Sequence, residues 1–356
     1  MSLMRRAVIF TLTMAVVAGA VLVPATAHEW RTSSYPFATP VFGLDSARDG
    51  SLLVADAGAG IVRLHHGRGT LLAELPTVTD MAPTWFGLFA VTGGTTVPEQ
   101  ESPLRRKLFR IVRGHVKELA DLGKFEASVN PDGGVVESNP FDVEALPDGS
   151  ALVADAAANA LLVVDHKGRI DWVATLPSEL VPTSNIKQLL GCPNGPPDIC
   201  NLPPEIPAEA VPTSIAVGPD GAYYVGELKG FPAPTGESRV WRIAPHARHA
   251  RCGTSRDCRV IADGFTSIVD LTFGRDGTLH VVELDEASWF AIEVTRTPVG
   301  GTVNECKRQH WTRAWLCDVE TSGLLMPTAA TVDLRGKLRV VTNALIPGAA
   351  EVITVR

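Results

Sequence analysis

The sequence lacks the short motifs that mark several enzyme classes. It contains no G-x-S-x-G nucleophile elbow, no H-E-x-x-H zinc motif and no glycine-rich phosphate loop. A serine hydrolase of the elbow type, a zincin and a nucleotide-binding enzyme are therefore not indicated. Histidine is also sparse, and only His280 falls within one of the repeated strands described below.

A surplus of positive charge is missing as well. Charged residues make up 20% of the chain, and the formal net charge is −7. An acidic balance disfavours nucleic acid and anionic membrane surfaces as partners. We therefore expect the partner to be a protein or a small molecule, and the chain itself to be a monomer.

The N-terminus has the pattern of a secretory signal. Arg5 and Arg6 precede an apolar run over 7–23, and the small residues Ala25 and Ala27 suit a signal peptidase. These features predict a signal peptide over 1–27 and an extracellular mature chain, with no membrane contact after cleavage. The alternative is an uncleaved membrane anchor, because the apolar run approaches spanning length.

Cysteine is absent from the first half of the sequence, and the six cysteines of the second half form three close pairs. An even number in an exported chain indicates disulfides. Six cysteines allow 15 connectivities, and we expect the local ones, in which each bridge closes a surface loop. Zinc is the alternative, but no His–Cys cluster supports it. The predicted bridges are Cys192–Cys200, Cys252–Cys258 and Cys306–Cys317.

The sequence repeats one short pattern six times, a Gly-containing turn followed by a strand. The Asp-Gly version of this turn is a strong hairpin signal, and the run after it alternates with period two. The aligned copies are RDGSLLVADA at 48–57, WFGLFAVTGG at 85–94, PDGSALVADA at 147–156, PDGAYYVGEL at 219–228, RDGTLHVVEL at 275–284 and LRGKLRVVTN at 334–343.

Each repeat is a unit of three or four antiparallel strands that cannot bury both faces alone. Such units stack radially as propeller blades, whereas a parallel β-helix would need shorter and more uniform coils. The sequence therefore predicts an all-β fold, a single six-bladed β-propeller over 28–356. The last repeat has only three strands before the chain ends, so we expect 34–39 to supply its outer strand.

Extra length beyond the repeat is concentrated near 95–106, 181–210, 245–259 and 300–320. Three of these insertions carry the cysteine pairs, and all four are expected to be long surface loops. Loops on a rigid scaffold are where recognition residues concentrate. The insertions are therefore the first candidates for partner binding.

Several segments resemble one known family. They are Asn139-Pro140-Phe141-Asp142, the run VPTSIAVGPDGAYYVGELKGFPAPTGESRVWRI at 211–243, FTSIVDLTFGRDGTLHVVEL at 265–284 and MPTAATVDL at 326–334. Together they look like the ScyD/ScyE family of exported bacterial propellers, related to NHL and gluconolactonase-type propellers. The resemblance spans nearly all of the mature chain and implies the propeller fold. It implies no catalytic residues.

Two columns of the repeat are rich in acids. Six residues after the aligned glycine, Asp56 and Asp155 are expected to accept backbone N–H bonds in the next turn. Glu227 and Glu283 occupy the same column, but they have one more methylene than this capping role needs. We therefore keep these two glutamates as candidate functional acids on one face.

Seven residues before the glycine, Asp80, Asp142 and Asp270 lie on the strand expected to be innermost. Three carboxylates near one axis repel each other unless a cation or water separates them, so this column is a candidate Ca²⁺ or Mg²⁺ site. The alternative is that each Asp binds neighbouring backbone independently.

Two functions follow from these features. The first is a secreted propeller scaffold that binds a protein or small-molecule partner through its face loops, with no defined chemistry. The second is a divalent-metal-dependent hydrolase or lactonase with an acidic site at the central channel. We place the scaffold first, because the Glu, Asn and Asp set of gluconolactonase-type sites is not found at matching positions.

Overall fold

The computed structural model describes residues 30–31, 35–95, 97–312 and 314–355. The predicted signal peptide over 1–27 lies outside these residues. In the part of the chain that is described, no helix has the length and apolar character needed to cross a bilayer.

Six four-stranded antiparallel sheets follow one another along the chain. We name the strands of each sheet a to d, from the innermost outward. Each strand a packs against strand a of both neighbouring blades, and strand a of blade 1 packs against that of blade 6. The sheets are therefore the blades of a closed six-bladed propeller, and the predicted fold class is confirmed.

The first three blades are continuous in sequence, and each comprises strands a to d in chain order. Blade 1 comprises Val41–Ser46, Leu52–Asp56, Gly60–His65 and Arg68–Glu74. Blade 2 comprises Val78–Pro83, Leu88–Thr92, Lys107–Val112 and His115–Asp121. Blade 3 comprises Pro140–Ala145, Ala151–Asp155, Ala160–Val164 and Ile170–Thr175.

The last three blades follow the same plan. Blade 4 comprises Pro212–Val217, Tyr223–Glu227, Ser238–Ile243 and Cys258–Phe265. Blade 5 comprises Ile268–Phe273, Leu279–Glu283, Gly301–Arg308 and Trp315–Leu324. Blade 6 comprises Ala329–Val332, Leu338–Thr342, Glu351–Thr354 and the N-terminal strand Trp30–Arg31.

Among the described residues, helices and short strands occur only in the connections between these strands. The helices are α1 (Leu122–Val129), α2 (Ser184–Leu189) and α3 (Pro197–Cys200), with a 3₁₀ turn at Pro98–Gln100 and a π-helical turn at Ala291–Thr295. The hairpin Glu179–Pro182/Glu205–Ala208 precedes blade 4, and Ala250–Arg251 pairs in parallel with strand d of blade 3.

The repeated glycine closes the hairpin between strands a and b. In blade 1 the Gly50 N–H donates to the Ala47 carbonyl, and Gly50 has a φ of 82°. Gly149 makes the same bond to Leu146 with a φ of 84°. A left-handed residue at this place favours glycine. This explains why the glycine persists in copies that lose the aspartate.

Strand b is buried along its whole length in blades 1, 3, 4 and 5. The period-two pattern identified only the positions that face one side. The other side is buried as well, because neighbouring blades stack against both faces of each sheet. Ala55 and Ala154 lie on that second side and are fully buried.

The N-terminal segment closes the ring, but not with the residues that were expected. Trp30 and Arg31 pair with Thr354 and Ile353 of blade 6, so the prediction that 34–39 forms this strand is wrong. Residues 35–39 are irregular instead. Phe37 is buried in the core, and the Ala38 N–H donates to the Asp56 carboxylate at 2.6 Å. These two contacts hold the segment away from the blade edge.

The connections of the propeller lie on two faces. Strands a to d alternate in direction, so the a–b and c–d turns lie on one face and the b–c and d–a connections lie on the other. We call these the turn face and the connection face. The connections at 93–106, 122–139, 176–211, 228–237 and 284–300 lie on the connection face, whereas the long connection at 244–257, between strands c and d of blade 4, lies on the turn face.

The cysteine pairs are joined as expected, with Cα–Cα distances of 5.4, 5.2 and 4.0 Å for Cys192–Cys200, Cys252–Cys258 and Cys306–Cys317. The expectation that 300–320 is an insertion loop is wrong. Cys306 and Cys317 are direct partners on strands c and d of blade 5. The third bridge therefore joins two paired strands, because those strands extend beyond the length of the basic repeat.

Candidate functional site

The aspartates of the innermost column join neighbouring blades. Asp80 of blade 2 accepts a hydrogen bond from the Val143 N–H of blade 3 at 3.1 Å. Asp270 of blade 5 accepts one from the Ala330 N–H of blade 6 at 2.5 Å. Asp142 makes the equivalent bond to blade 4. Each carboxyl therefore connects strand a of its own blade to strand a of the next.

The same three aspartates also interact with each other around the axis. The carboxyl groups of Asp80 and Asp142 are hydrogen-bonded to one another. Burial, followed by the charge of Asp142, raises the pKa of Asp80 and the pKa of Asp270 well above their usual range. A proton held between Asp80 and Asp142 would relieve the repulsion between the two carboxyls.

Two further acids belong to this inner group and were missed by the sequence reasoning. Asp45 and Glu144 are also on strand a, and burial raises the pKa of Asp45 to about 7. Burial, followed by the charges of Asp45 and Asp142, raises the pKa of Glu144 well above its usual range. The sequence could have indicated Glu144, because it lies two residues after Asp142 and residues two apart on a strand share a face.

The structure brings the three predicted metal ligands into one neighbourhood without forming a recognisable metal site. Within the described residues, no group of three or more His, Cys, Asp or Glu side chains has a geometry that could hold a metal ion. The backbone bonds from Val143 and Ala330 already occupy carboxylate oxygens of Asp80 and Asp270. Ca²⁺ or Mg²⁺ binding at this column stays a prediction.

In the second acidic column, Asp56 and Asp155 have the capping role that was expected. Asp56 accepts bonds from the N–H groups of Ala38 and Gly58. Asp155 accepts a bond from the Asn139 N–H at 2.6 Å. Both carboxylates therefore tie the segment that enters strand a to the end of strand b on the connection face.

Glu227 of the same column is different, because it belongs to a buried ion-pair network. Its carboxylate lies 3.0 Å from the Lys229 Nζ and 3.3 Å from the Arg239 Nε. It also accepts a bond from the Trp241 Nε1 at 3.1 Å. Burial raises the pKa of Glu227 to about 7, although the Lys229 ammonium and the Trp241 N–H act in the opposite direction.

The same network attaches the longest insertion to blade 4. Glu179, at the start of the insertion hairpin, contacts Lys229 at 2.6 Å and Arg239 at 2.8 Å. Lys229 is fully buried between Glu179 and Glu227. A buried ammonium between two carboxylates is a structural tie, since removing one partner would leave a buried charge unpaired.

Glu283, the other candidate glutamate, also has structural partners. It accepts a hydrogen bond from the backbone N–H of Thr266 and another from the Asn304 side-chain amide. Burial raises the pKa of Glu283 to about 7. Glu227 and Glu283 therefore both lie at the connection-face ends of their b strands, each buried and enclosed by its own partners.

Hydrophobic residues cover the connection-face end of the inner strands. The rings of Phe42 and Phe141, from strands a of blades 1 and 3, lie 5.4 Å apart. Ile186 of α2 is fully buried in the same hydrophobic cluster as Phe141, and Leu189 packs against it. Asn185 donates to the Ala233 carbonyl at 2.6 Å. The insertion is thus seated over this end of the propeller.

A separate pocket of about 530 Å³ opens on the connection face between blades 2 and 3. It is formed by the b–c connection of blade 2, by α1 and by the segment that leads into blade 3. We call it the blade 2–3 pocket. Its lining residues are Thr95, Ser102, Pro103, Arg105, Arg106, Lys107, Asp121, Gly123, Lys124, Glu126, Ala127, Val136, Glu137 and Ser138.

Four cations line this pocket, and they differ in how fully they are neutralised. Arg106 pairs with Glu101, and Lys107 pairs with Glu118 and Asp121. The Arg105 guanidinium donates only to backbone carbonyls, including those of Gly94 and Gln100 at 2.8 Å. Lys124 is exposed, and in the described part of the chain its ammonium group forms no direct ion pair, although its charge acts on Asp121.

Glu126 is the unusual acid of the pocket. It lies on α1 and is only 2% exposed, and its Oε1 has no hydrogen-bond partner among the described residues. Burial, followed by the charges of Asp155 and Asp132, raises the pKa of Glu126 to about 8. Unsatisfied polar atoms are rare inside proteins. This carboxyl is therefore available to a molecule that enters the pocket.

The sequence indicates only one wall of this pocket. The insertion at 95–106 was predicted as a recognition loop, and Arg105-Arg106-Lys107 was a visible basic triplet within a chain of negative net charge. Helix α1, which begins with Asp121 as a side-chain cap on the Lys124 N–H, was not predicted. The start of that helix could have been predicted from Asp121, Leu122 and the three residues that follow them.

Comparisons with known proteins identify the fold alone. No protein-family model and no curated protein sequence matches the chain. A glucose dehydrogenase from Thermus thermophilus is 16% identical over 92% of this chain and 99% of its own, with a TM-score of 0.56. A gluconolactonase from Xanthomonas campestris is 15% identical over 96% and 99%, with a TM-score of 0.54. The PQQ-bound aldose sugar dehydrogenase of Streptomyces coelicolor is 12% identical over 91% and 96%, with a TM-score of 0.55.

Proposed function

We propose that this protein is a secreted propeller scaffold that binds a small molecule in the blade 2–3 pocket. The single observation that carries the proposal is the pocket itself. At about 530 Å³ it falls within the range of roughly 300–1,000 Å³ that is typical of small-molecule sites. It also combines an enclosed polar group, Glu126, with charged groups at its rim.

The position of the pocket supports a binding role. It lies on the connection face, which carries most of the long connections, and recognition residues concentrate on loops held by a rigid scaffold. The axial end of that face is occupied by the apolar cluster around Phe42, Phe141 and Ile186. A ligand therefore meets a pocket at the side of this face.

Export is part of the same proposal. Three disulfides favour an oxidising compartment, and the predicted signal peptide would deliver the chain to one. The resemblance to the ScyD/ScyE family, whose members are exported propellers, points the same way. Cleavage after Ala27 is the corresponding prediction, and mass spectrometry of the secreted chain would test it.

A screen of small molecules by thermal shift tests the binding function. The panel should contain neutral sugars, amino acids, small carboxylates and phosphate esters. A true ligand raises the Tm with concentration by mass action. Ala127→Trp, which fills the pocket, should abolish the shift. Val129→Trp, on the same helix but outside the lining, should keep it. A Tm that no compound raises, or a shift that survives Ala127→Trp, would refute the proposal.

The divalent-metal hydrolase stays the alternative function. It depends on a cation at Asp80, Asp142 and Asp270. Ca²⁺ or Mg²⁺ would then raise the Tm of the protein, and Asp142→Asn together with Asp270→Asn would abolish that rise. If divalent cations leave the Tm unchanged, this alternative is removed.

A further inference from the structure

We propose that the ligand of the blade 2–3 pocket is a small carboxylate, which accepts a hydrogen bond from the Glu126 carboxyl group while Lys124 and Arg105 balance its charge. This inference rests on the binding function proposed above. It goes further by naming the chemistry of the ligand and the three side chains that select it.

The protonation state of Glu126 decides which ligand atoms it can bind. Its pKa of about 8 means that it carries a proton at neutral pH. A neutral carboxyl can donate a hydrogen bond, and Oε1 has no partner among the described residues. With the proton on Oε1, the ligand atom that meets it is an acceptor, such as a carboxylate oxygen.

The charges around the pocket favour an anion. The ionisable side chains that line the pocket are Arg105, Arg106, Lys107, Lys124, Asp121, Glu126 and Glu137. Asp121 is already paired with Lys107, and burial raises the pKa of Glu137 as well. Arg105 and Lys124 form no direct ion pair in the described structure, although the charge of Glu101 acts on Arg105 and that of Lys124 acts on Asp121. An anionic ligand would give each of these two cations a direct partner.

A carboxylate fits better than a phosphate because free backbone donors are scarce. Phosphate sites commonly use unpaired N–H groups at the start of a helix. At the start of α1 these groups are occupied, since the N–H groups of Leu122 and Gly123 donate to the Arg106 carbonyl and that of Lys124 donates to Asp121. The donors left for a ligand are side chains, and these suit one carboxylate.

The remaining lining describes the rest of the ligand. Pro103, Ala127 and Val136 contribute apolar surface, and Ser102 and Ser138 contribute hydroxyl groups. A molecule with a short carbon skeleton and a few hydroxyl or carbonyl groups would contact both kinds of surface. Small hydroxy acids and dicarboxylic acids are the class that meets these conditions.

Calorimetric titration with acetate, succinate, malate and gluconate tests the inference, with glucose and inorganic phosphate as the contrasting probes. We expect at least one carboxylate to bind at pH 7 and to bind about tenfold more weakly at pH 9.5, where Glu126 is ionised. Glu126→Gln keeps a neutral donor, so the affinity of this variant for the carboxylate should not change over the same pH range. Lys124→Gln should lose about tenfold, whereas Lys117→Gln, an exposed control outside the pocket, should not.

The outcomes separate this inference from the proposed function. Binding of glucose or phosphate without any carboxylate overturns the carboxylate assignment and leaves the binding function standing. Failure of every probe, both here and in the wider thermal-shift panel, removes both. If Glu126→Gln does not fold, an affinity that Lys124→Gln leaves unchanged overturns the assignment by itself.

Discussion

Asp142 of blade 3 accepts a hydrogen bond from the backbone N–H of Ile215 in blade 4, at 2.5 Å. Asp80 and Asp270 make the same bond to the blades that follow them. A carboxylate that bonds a backbone donor of the next blade acts as a link between repeats. The acidic column therefore contributes to ring cohesion, whatever else it binds.

The Asp142 link predicts a difference between two substitutions. Asp142→Ala removes the acceptor and leaves the Ile215 N–H unsatisfied, which should lower the free energy of unfolding by about 1–3 kcal/mol. Asp142→Asn keeps an oxygen acceptor and removes repulsion with Asp80, so it should stay near the wild-type stability. Urea unfolding of both variants measures this. Equal losses for Ala and Asn would show that the link is unimportant.

The buried acids predict that the protein loses stability from mildly acidic to mildly basic pH. Asp45, Glu227 and Glu283 have pKa values raised to about 7, Asp155 to about 6 and Glu126 to about 8. At a pH between its ordinary pKa and its raised pKa, each of these carboxyls is protonated in the folded chain and loses that proton on unfolding. The free energy of unfolding therefore falls as pH rises from about 4 to about 8.

The Tm measured at pH 5.5 should accordingly exceed that at pH 8. Carboxyls with a lowered pKa, such as that of Asp333, lose their contribution only at lower pH and do not reverse this trend. A Tm that rises from pH 5.5 to pH 8 would contradict the burial of protonated acids in the ring.

The N-terminal strand predicts that the ring depends on residues at its very start. A chain that begins at Tyr35 lacks Trp30 and Arg31 and leaves the Glu351–Thr354 strand without an outer partner. We expect one cooperative transition at a lower Tm than that of a chain beginning at His28, because blade 6 closes the circle. Identical Tm values for the two chains would show that the strand adds nothing.

The disulfides should differ in what they protect. Cys306→Ala with Cys317→Ala removes a bridge between paired strands of blade 5 and should lower global stability by about 2–3 kcal/mol. Cys192→Ser with Cys200→Ser should chiefly increase proteolysis within 184–204, where α2 and α3 are short. Limited proteolysis and unfolding curves distinguish the two. Early proteolytic cleavage in blade 5, with the insertion at 184–204 left intact, would contradict this expectation.

The blades could be predicted because each repeats a local signal. The turn at Gly50 or Gly149 needs a left-handed residue, and strand b follows directly, so the sequence marks both. The outer strand of blade 6 was misplaced by a few residues because Phe37 and Ala38 are fixed by distant partners, the core and Asp56. Such long-range contacts leave no periodic trace in the sequence.

The candidate site was harder to predict for the same reason. Acids such as Asp142 stand out in an alignment of repeats, whereas Glu126 lies in a connection that has no equivalent in the other blades. Its importance comes from burial and from an oxygen without a partner among the described residues. Both properties depend on how three separate segments pack, so residue type and spacing carry no sign of them.

Crystals of the mature chain soaked with a fragment library that includes small carboxylates test whether the blade 2–3 pocket binds a ligand of this class. We expect fragments to occupy the pocket, with an anionic oxygen next to Glu126 and Lys124. Fragments bound instead among Asp80, Asp142 and Asp270 at the axis, with the pocket empty at saturating concentrations, would contradict it.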